Sequence, residues 1–590
     1  MSHTFHIPVL GLGFSIDTPL KVARYGISSV MSIVDDELIE RMRQYHCKAN
    51  GLPYTAIKKG ENDHRARRIT AYLNLVKELA DQQFECLKQQ PFEAGSDLCR
   101  YFELLPETSV LRQGYDLMME YPEGQRKDIF KSILINSIKQ GSIDVNLMAK
   151  VDKMNFDANG YYTGDENTDA LAALRGYALS NLNSAIVLSA GMNPKLYSYL
   201  ENFRDFFPDE NGHINKRIIL KVSDFRSAFI QAKFLAKKGL WVSEFRIESG
   251  LNCGGHAFAT EGLLLGPILD EFKLRRTEMK EELYGLYDAA LIQKEIFTTK
   301  IPPQRISVQG GIGTADEDNF LRDYYDLDAT GWGSPFLMVP EATNVDNETL
   351  QQLADATEDD FYTSNASPLG ILFNNFKGSS INQLRLQRIA QNRPGSPCTK
   401  KYLCSNTEFT AQPICTASRE YQNLKLKQLQ EQELPEAAYR DAVEHITEKI
   451  CLCEGLCSSA YLKNDITKPK ENNAVAVCPG PNVAYFKRPY SLDEMAAHIY
   501  GKTDLLKNIK RPHLFLKELD LYITYLNKDA RQNLAGITDK KPKQLQNFKL
   551  QLLKGIDYYR NLFTTVLTNF PDTIDQLKAF EDILMKELAF

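Results

Sequence analysis

The sequence predicts an α/β protein, a (β/α)8 TIM barrel with a helical insertion and a mainly helical C-terminal region. Three observations predict it. Short apolar, β-branched runs alternate with helical-length stretches, the pattern of a parallel sheet covered by helices. Two such runs within Arg305–Val339 end in glycine turns, Gly310-Gly311-Ile312-Gly313 and Gly333-Ser334. Beyond about Gly378, strand-like runs become rare and polar helical segments dominate. A doubly wound open sheet fits the alternation equally well. The terminal pair of glycine turns favours the closed barrel, whose loops after strands 7 and 8 commonly hold a phosphate.

Taken in order, Thr4–Leu10 reads as the first strand and breaks at Gly11-Leu12-Gly13. A helix follows from about Thr18, with Pro19 in its first turn, where a missing N–H costs nothing. Ser28–Val34 is the second strand, and Asp35-Asp36 opens the next helix. Residues of about 46–135 are rich in Leu, Lys, Glu and Gln and read as a helical insertion. Ser142–Ala149 resumes the strand pattern, followed by Ala185–Ser189, Arg217–Val222, Leu240–Ile247 and Ile306–Val308. Asp224–Lys238 is one of the helices between them. Breaker residues Arg393–Pro397 suggest a boundary, giving a barrel over 1–380 and a helical region over 381–590. Within the latter, Ala417–Glu433 reads as a long polar helical segment and Phe548–Phe590 as an amphipathic helical end.

At 590 residues the chain is long enough for a large core and for two domains. A net charge of −6 with interspersed signs gives no reason to expect nucleic acid or an anionic membrane as partner. No secretory signal and no membrane-length apolar run is evident, so a soluble, intracellular protein is expected.

The glycine turns carry the first chemical signal. Without a Cβ, backbone N–H groups approach an anion closely, and the following helix offers its positive N-terminus. A pair of tight turns with no ligand is the plainer alternative. The second signal is His256, which follows Gly254-Gly255 after the sixth strand, where barrel enzymes gather catalytic groups. Imidazole titrates near neutrality and exchanges protons readily; a loop histidine bonding a carbonyl is the alternative. Lys221 ends another strand, where a cation stabilises negative charge on a reduced ring, or is simply a surface lysine.

Together these motifs resemble a family. Pro8–Ile33 is similar to the opening of the nitronate monooxygenases, formerly 2-nitropropane dioxygenases, which are FMN barrels. The resemblance continues through IDVNLM at Asn146, ILKVSD at Lys221, CGGH at His256, VQGGIGTAD at Gly310 and GWGSPF at Gly333, and Tyr362–Phe376 resembles the segment that closes these barrels. It implies FMN, with the phosphate on Gly310, Gly311, Gly333 and Ser334. Gly11, Gly13, Asn146, Lys221 and Gln309 would line the ribityl chain and ring, and His256 would be the catalytic acid/base. The family's acidic residue two positions before the Gly-Gly-His is Asn252 here, and the insertion and C-terminal region have no counterpart in the compact enzymes. Gly254–Glu271 also resembles the flavin-dependent enoyl reductases of polyunsaturated fatty acid and polyketide synthesis, which take hydride from NAD(P)H. The first expectation is nitronate oxidation by dioxygen, the second enoyl-thioester reduction, the third a non-catalytic scaffold. A small-molecule substrate, a homodimer and a cytoplasmic location complete the reading.

Seven of the eleven cysteines lie at Cys398, Cys404, Cys415, Cys451, Cys453, Cys457 and Cys478. Their spacing matches neither a C-x2-C zinc ribbon nor a common ferredoxin. Buried structural thiols are expected, without a metal, and a thiolate-bound metal or iron–sulfur site at Cys451, Cys453 and Cys457 is the alternative.

Overall fold

The computed structural model describes residues 2–148, 152–157, 160–189, 191–533, 540–570 and 572–587. Eight parallel strands close into a barrel in sequence order. They are β1 (Phe5–Ile7), β2 (Ser28–Ser32), β3 (Ile143–Leu147), β4 (Ser184–Leu188), β5 (Lys216–Val222), β6 (Val242–Glu248), β7 (Arg305–Gln309) and β8 (Ala329–Gly331). β1 pairs with β8 at Phe5↔Thr330 and His6↔Gly331, which closes the ring. An open sheet is thereby excluded.

Each predicted strand is present, with bounds shifted by a few residues: β5 and β7 run longer than expected, and others are shorter for local reasons. β1 stops at Ile7 because Pro8 has no N–H for the ladder. β3 ends at Leu147, and Ala149 lies outside the described residues. β6 starts at Val242, below which Trp241 packs on Tyr287 and donates its indole N–H to Pro303 O (3.0 Å). The last run forms β8 over Ala329–Gly331, and past its glycine Ser334–Met338 winds into a 3-10 turn.

Between β2 and β3 run five helices: Asp36–Ala49, His64–Lys88, Asp97–Glu103, Val110–Glu120 and Gln125–Ser137. Asp35 caps the first, accepting from the N–H groups of Glu37 and Leu38. The 25-residue helix His64–Lys88 takes a place in the outer ring. It lies so close to helix Asp169–Ala178 that a Cβ on Gly176 would meet Ala66 O at 2.7 Å.

After β8 an antiparallel hairpin, Phe361–Ser364 with Phe373–Phe376, precedes the C-terminal helices. The amphipathic end expected as one helix is two, Lys540–Thr565 and Asp572–Glu587, and residues 588–590 lie outside the described part. One apolar core joins barrel to C-terminal region, running from Phe14 and Ile16 to Cys457, Leu514 and Leu552. Among the described residues, no helix is long and apolar enough to cross a membrane.

Candidate active site

Along a barrel strand, alternate side chains point inward. On β6 these are Glu244, Arg246 and Glu248, which build two polar layers. In the lower layer, Arg246 Nε and Nη2 donate to Glu244 Oε1 at 3.0 and 2.8 Å, and Ser307 Oγ donates to the same atom at 2.6 Å. Arg305 Nη1 lies 3.5 Å from the other carboxylate oxygen. Burial alone would raise the Glu244 pKa, but Arg246 and Arg305 more than offset it and hold the carboxyl down at about 2.

The upper layer is less complete. Glu248 Oε1 accepts from Lys221 Nζ (2.9 Å) and Gln309 Nε2 (2.6 Å). Because the Gln309 amide nitrogen is turned to Glu248, its Oε1 is left buried without a hydrogen bond of ordinary geometry, facing the His6 ring, whose Nε2 is unpartnered too. Asn146 Oδ1, on β3, is likewise buried and unpartnered.

A cavity of about 220 Å³ opens above this layer. Gly11, Asn146, Lys221, His256, Gln309, Gly310, Gly311, Gly333 and Ser334 all line it. Gly13 does not. Its N–H donates to Leu456 O (2.8 Å), and a Cβ there would lie 3.0 Å from the same oxygen. Close approach of helix Leu452–Lys463 requires that glycine.

The two glycine turns differ. Gly310 and Gly311 have φ of 114° and 80°, and Cβ atoms there would meet Cys253 Sγ at 2.6 Å and Asn252 Nδ2 at 2.0 Å. The loop after β6 is pressed against this turn, so the fold itself demands both glycines. A Cβ on Gly333 would meet only Leu10 at 3.7 Å and Pro8 at 3.9 Å. Nothing in the protein excludes a side chain there. Ser334 Oγ accepts from Gly480 N at 2.8 Å, so the C-terminal region also reaches this turn.

His256 is fixed from three sides. Gly255 N donates to Cys478 O and Asn374 N to Gly255 O, both at 2.9 Å. Ala257 N donates to Leu372 O, also at 2.9 Å. The imidazole Nε2 lies 2.8 Å from Ser367 Oγ, and its edge faces the Phe373 ring with centroids 5.1 Å apart. The hairpin after the barrel thus sets the ring's orientation.

The remaining wall is C-terminal: Tyr402, Leu403, Leu452, Leu456, Pro479 and Asn482 join Pro8, Leu10 and Leu12. The loop bearing Tyr402 is anchored by Lys400 Nζ on Asp35 Oδ2 (2.6 Å) and by Tyr402 OH on Asp36 Oδ1 (2.8 Å). Arg511 pairs with Glu317 (2.7 Å) and also donates to Gly311 O, so it braces the double-glycine turn from behind.

Sequence reasoning passed over Glu248, Ser249, Ser367 and this C-terminal wall. Glu248 carried a legible signal, an acidic residue at the carboxyl end of a barrel strand. The others meet the site only through tertiary structure.

Six of the C-terminal thiols, Cys398, Cys404, Cys415, Cys451, Cys453 and Cys478, belong to one small apolar cluster. Cys398 and Cys404 Sγ are 3.8 Å apart. Among the described residues, no group of three or more His, Cys, Asp or Glu is placed to hold a metal ion.

No family model matches this chain, and no curated protein sequence does. Among solved structures it is similar to FabK from Thermotoga maritima at 12% identity, with a TM-score of 0.30, over 65% of this chain and 80% of that one. It is similar to the enoyl reductase domain of MlnA, from the macrolactin biosynthesis cluster of Bacillus amyloliquefaciens, at 15% identity, TM-score 0.34, over 65% and 86%. A nitroalkane oxidase from Streptomyces ansochromogenes matches at 10% identity, TM-score 0.35, over 85% and 97%.

Proposed function

We propose that the cavity holds FMN and that the protein is a flavin-dependent oxidoreductase. One observation carries this reading. Two buried acceptors without partners, Asn146 Oδ1 and Gln309 Oε1, belong to the wall of a cavity bounded by two glycine turns. An unpaired buried acceptor costs about 1–3 kcal/mol. A flavin brings donors to match, in its ring N–H and ribityl hydroxyls, and a phosphate for the turns. Gly310, Gly311, Gly333 and Ser334 would hold the phosphate, with Gly11, Asn146, Lys221 and Gln309 along the ribityl chain and ring.

Bound FMN supplies reversible two-electron transfer. Lys221, held by Glu248, contributes positive charge where negative charge develops on reduction. His256, oriented by Ser367, takes or delivers the proton. The leucines of the C-terminal wall exclude water and strengthen both electrostatic effects.

For the substrate, Leu403, Leu452 and Leu456 with Leu10 and Leu12 form an aliphatic surface suited to an acyl chain. This favours reduction of an enoyl thioester with NAD(P)H over oxidation of an alkyl nitronate by dioxygen. A small nitronate uses the same His256 but leaves the leucine wall unfilled. Anaerobic mixing separates the two. Under the first reading NADPH bleaches the flavin, and an enoyl thioester restores its colour. Bleaching by a nitronate alone reverses the choice, and a protein that takes up no flavin is the scaffold.

A further inference from the structure

Behind the cavity wall lies a carboxyl that this chemistry does not use. Glu518, on helix Leu514–Asn533, is 1% exposed. Its Oε2 accepts from Leu265 N (2.8 Å) and from Tyr559 OH (3.2 Å). Tyr559 OH is the donor in the second bond, and its oxygen also accepts from Gly266 N. Its Oε1 lies 2.6 Å from Ser249 Oγ. Ser249 follows β6, lines the cavity and also accepts from Asn252 N at 3.3 Å. It stands so close to the first glycine turn that a Cβ on Gly310 would be 3.0 Å from the Ser249 Cβ.

With these directions kept, a proton on Glu518 has one place to sit. Oε2 already receives two hydrogens, so the proton goes to Oε1 and is donated to Ser249 Oγ. Ser249 then accepts two hydrogens, from Glu518 and Asn252 N, and its own hydrogen must turn elsewhere. With Glu518 ionised, the Ser249 hydrogen is committed to the carboxylate instead.

We propose that Glu518 and Ser249 form a proton-linked anion receptor, in which protonated Glu518 frees the Ser249 hydroxyl to donate to a phosphate held at Gly310. The inference rests on the FMN reading for the identity of that phosphate. One proton is taken up by Glu518 when the phosphate binds at a pH where the carboxyl is otherwise ionised, and no covalent bond changes. Burial without a cationic partner among its hydrogen bonds pushes the Glu518 pKa up to about 7, within range of such a switch. The titratable groups that face it are Tyr559 from helix Lys540–Thr565, Tyr522 one turn along its own helix, and Cys253 from the loop after β6. Burial drives all three pKa values upward, so they remain protonated and neutral in the same range.

The test compares FMN with riboflavin, which lacks the phosphate, by quenching of flavin fluorescence on the full chain from about pH 7 to about pH 9. The free FMN phosphate is already doubly ionised over most of this range, its second pKa being about 6. FMN binding to the wild type should weaken with rising pH, by as much as about tenfold per unit, and riboflavin binding should stay level. Glu518→Gln should abolish the slope while keeping tight FMN binding, because the amide donates to Ser249 as the protonated acid does. Ser249→Ala should weaken FMN at neutral pH, also without a slope, and leave riboflavin unchanged. Equal pH slopes in wild type and Glu518→Gln, or a level wild-type curve, would overturn the receptor while leaving the cofactor reading intact. Failure of both flavins to bind folded wild type would overturn the cofactor reading and the receptor with it.

Discussion

Glu244 and Glu248 stand on the same strand and point into the same barrel, yet they belong to opposite kinds of environment. Around Glu244 both carboxylate oxygens face arginines, and Ser307 adds a hydroxyl, so the layer is electrostatically closed. Around Glu248 the donors Lys221 and Gln309 converge on one oxygen, and acceptors on Gln309 and Asn146 stay unpaired. The lower layer spends its charged groups on the fold. The upper layer keeps some polar groups in reserve, at a cost to the empty protein, and a ligand with matching donors recovers that cost. Incomplete satisfaction at the cavity wall, rather than the mere presence of charge, is what supports the proposed cofactor site, although His6 Nε2, beside Arg246 and Glu244, is buried and unpartnered as well.

The strongest challenge to that contrast is Glu244→Ala, which leaves a buried guanidinium unpaired and should cost about 3–5 kcal/mol in denaturant unfolding. Glu248→Ala should cost much less, since the Lys221 and Glu248 side chains retain 18% and 19% of their exposure to solvent. Equal losses would erase the distinction. Acid adds a second handle on the lower layer. The Glu244 pKa is depressed in the fold, so its contribution is present above the unfolded carboxyl value and disappears as pH falls toward about 2. In Glu244→Gln, that part of the acid-side loss of stability should vanish from the unfolding curves.

On the upper side, His256→Ala should lower turnover by about 10²–10⁴-fold while flavin stays bound. Unchanged steady-state kinetics would remove it from proton transfer, and loss of flavin would assign it to packing. Gly333→Ala comes next. The protein has room for the methyl, so the variant should fold with a native melting temperature and still bind FMN at least about tenfold more weakly, a loss of about 1.4 kcal/mol. Unaltered FMN affinity would mean that no ligand approaches this turn. Asn146→Leu has the smallest expected effect. Removing an unpaired acceptor should stabilise the flavin-free protein by roughly 1 kcal/mol and reduce the added stability that FMN confers. A less stable flavin-free variant would show that Asn146 serves the fold instead.

Much of the barrel was legible in the sequence because alternation, strand length and glycine punctuation are local signals. Pro8 ended β1 early, yet the element stood where Phe5–Ile7 announced it. The long amphipathic end misled because continuous helical periodicity does not reveal where a chain folds back on itself. At the site, nine of the ten residues singled out share one cavity, whereas Gly13 owes its glycine to Leu456, hundreds of residues along the chain. The reason for Gly310 and Gly311 was hidden in a similar way. A phosphate cradle was the visible motive, but Cys253 and Asn252 crowd the same turn. Ser249 and Glu518 are 269 positions apart, and no pattern within either segment predicts that they meet.

The most direct test of the central claim is titration of the purified, flavin-free chain with FMN, read by absorbance and fluorescence and repeated on Asn146→Leu paired with Gln309→Leu. The wild type should bind one FMN per chain saturably. The double variant, whose two unpaired acceptors are gone, should bind markedly more weakly while its circular dichroism stays native. Equal FMN affinity in both proteins, or no binding to folded wild type, would contradict it.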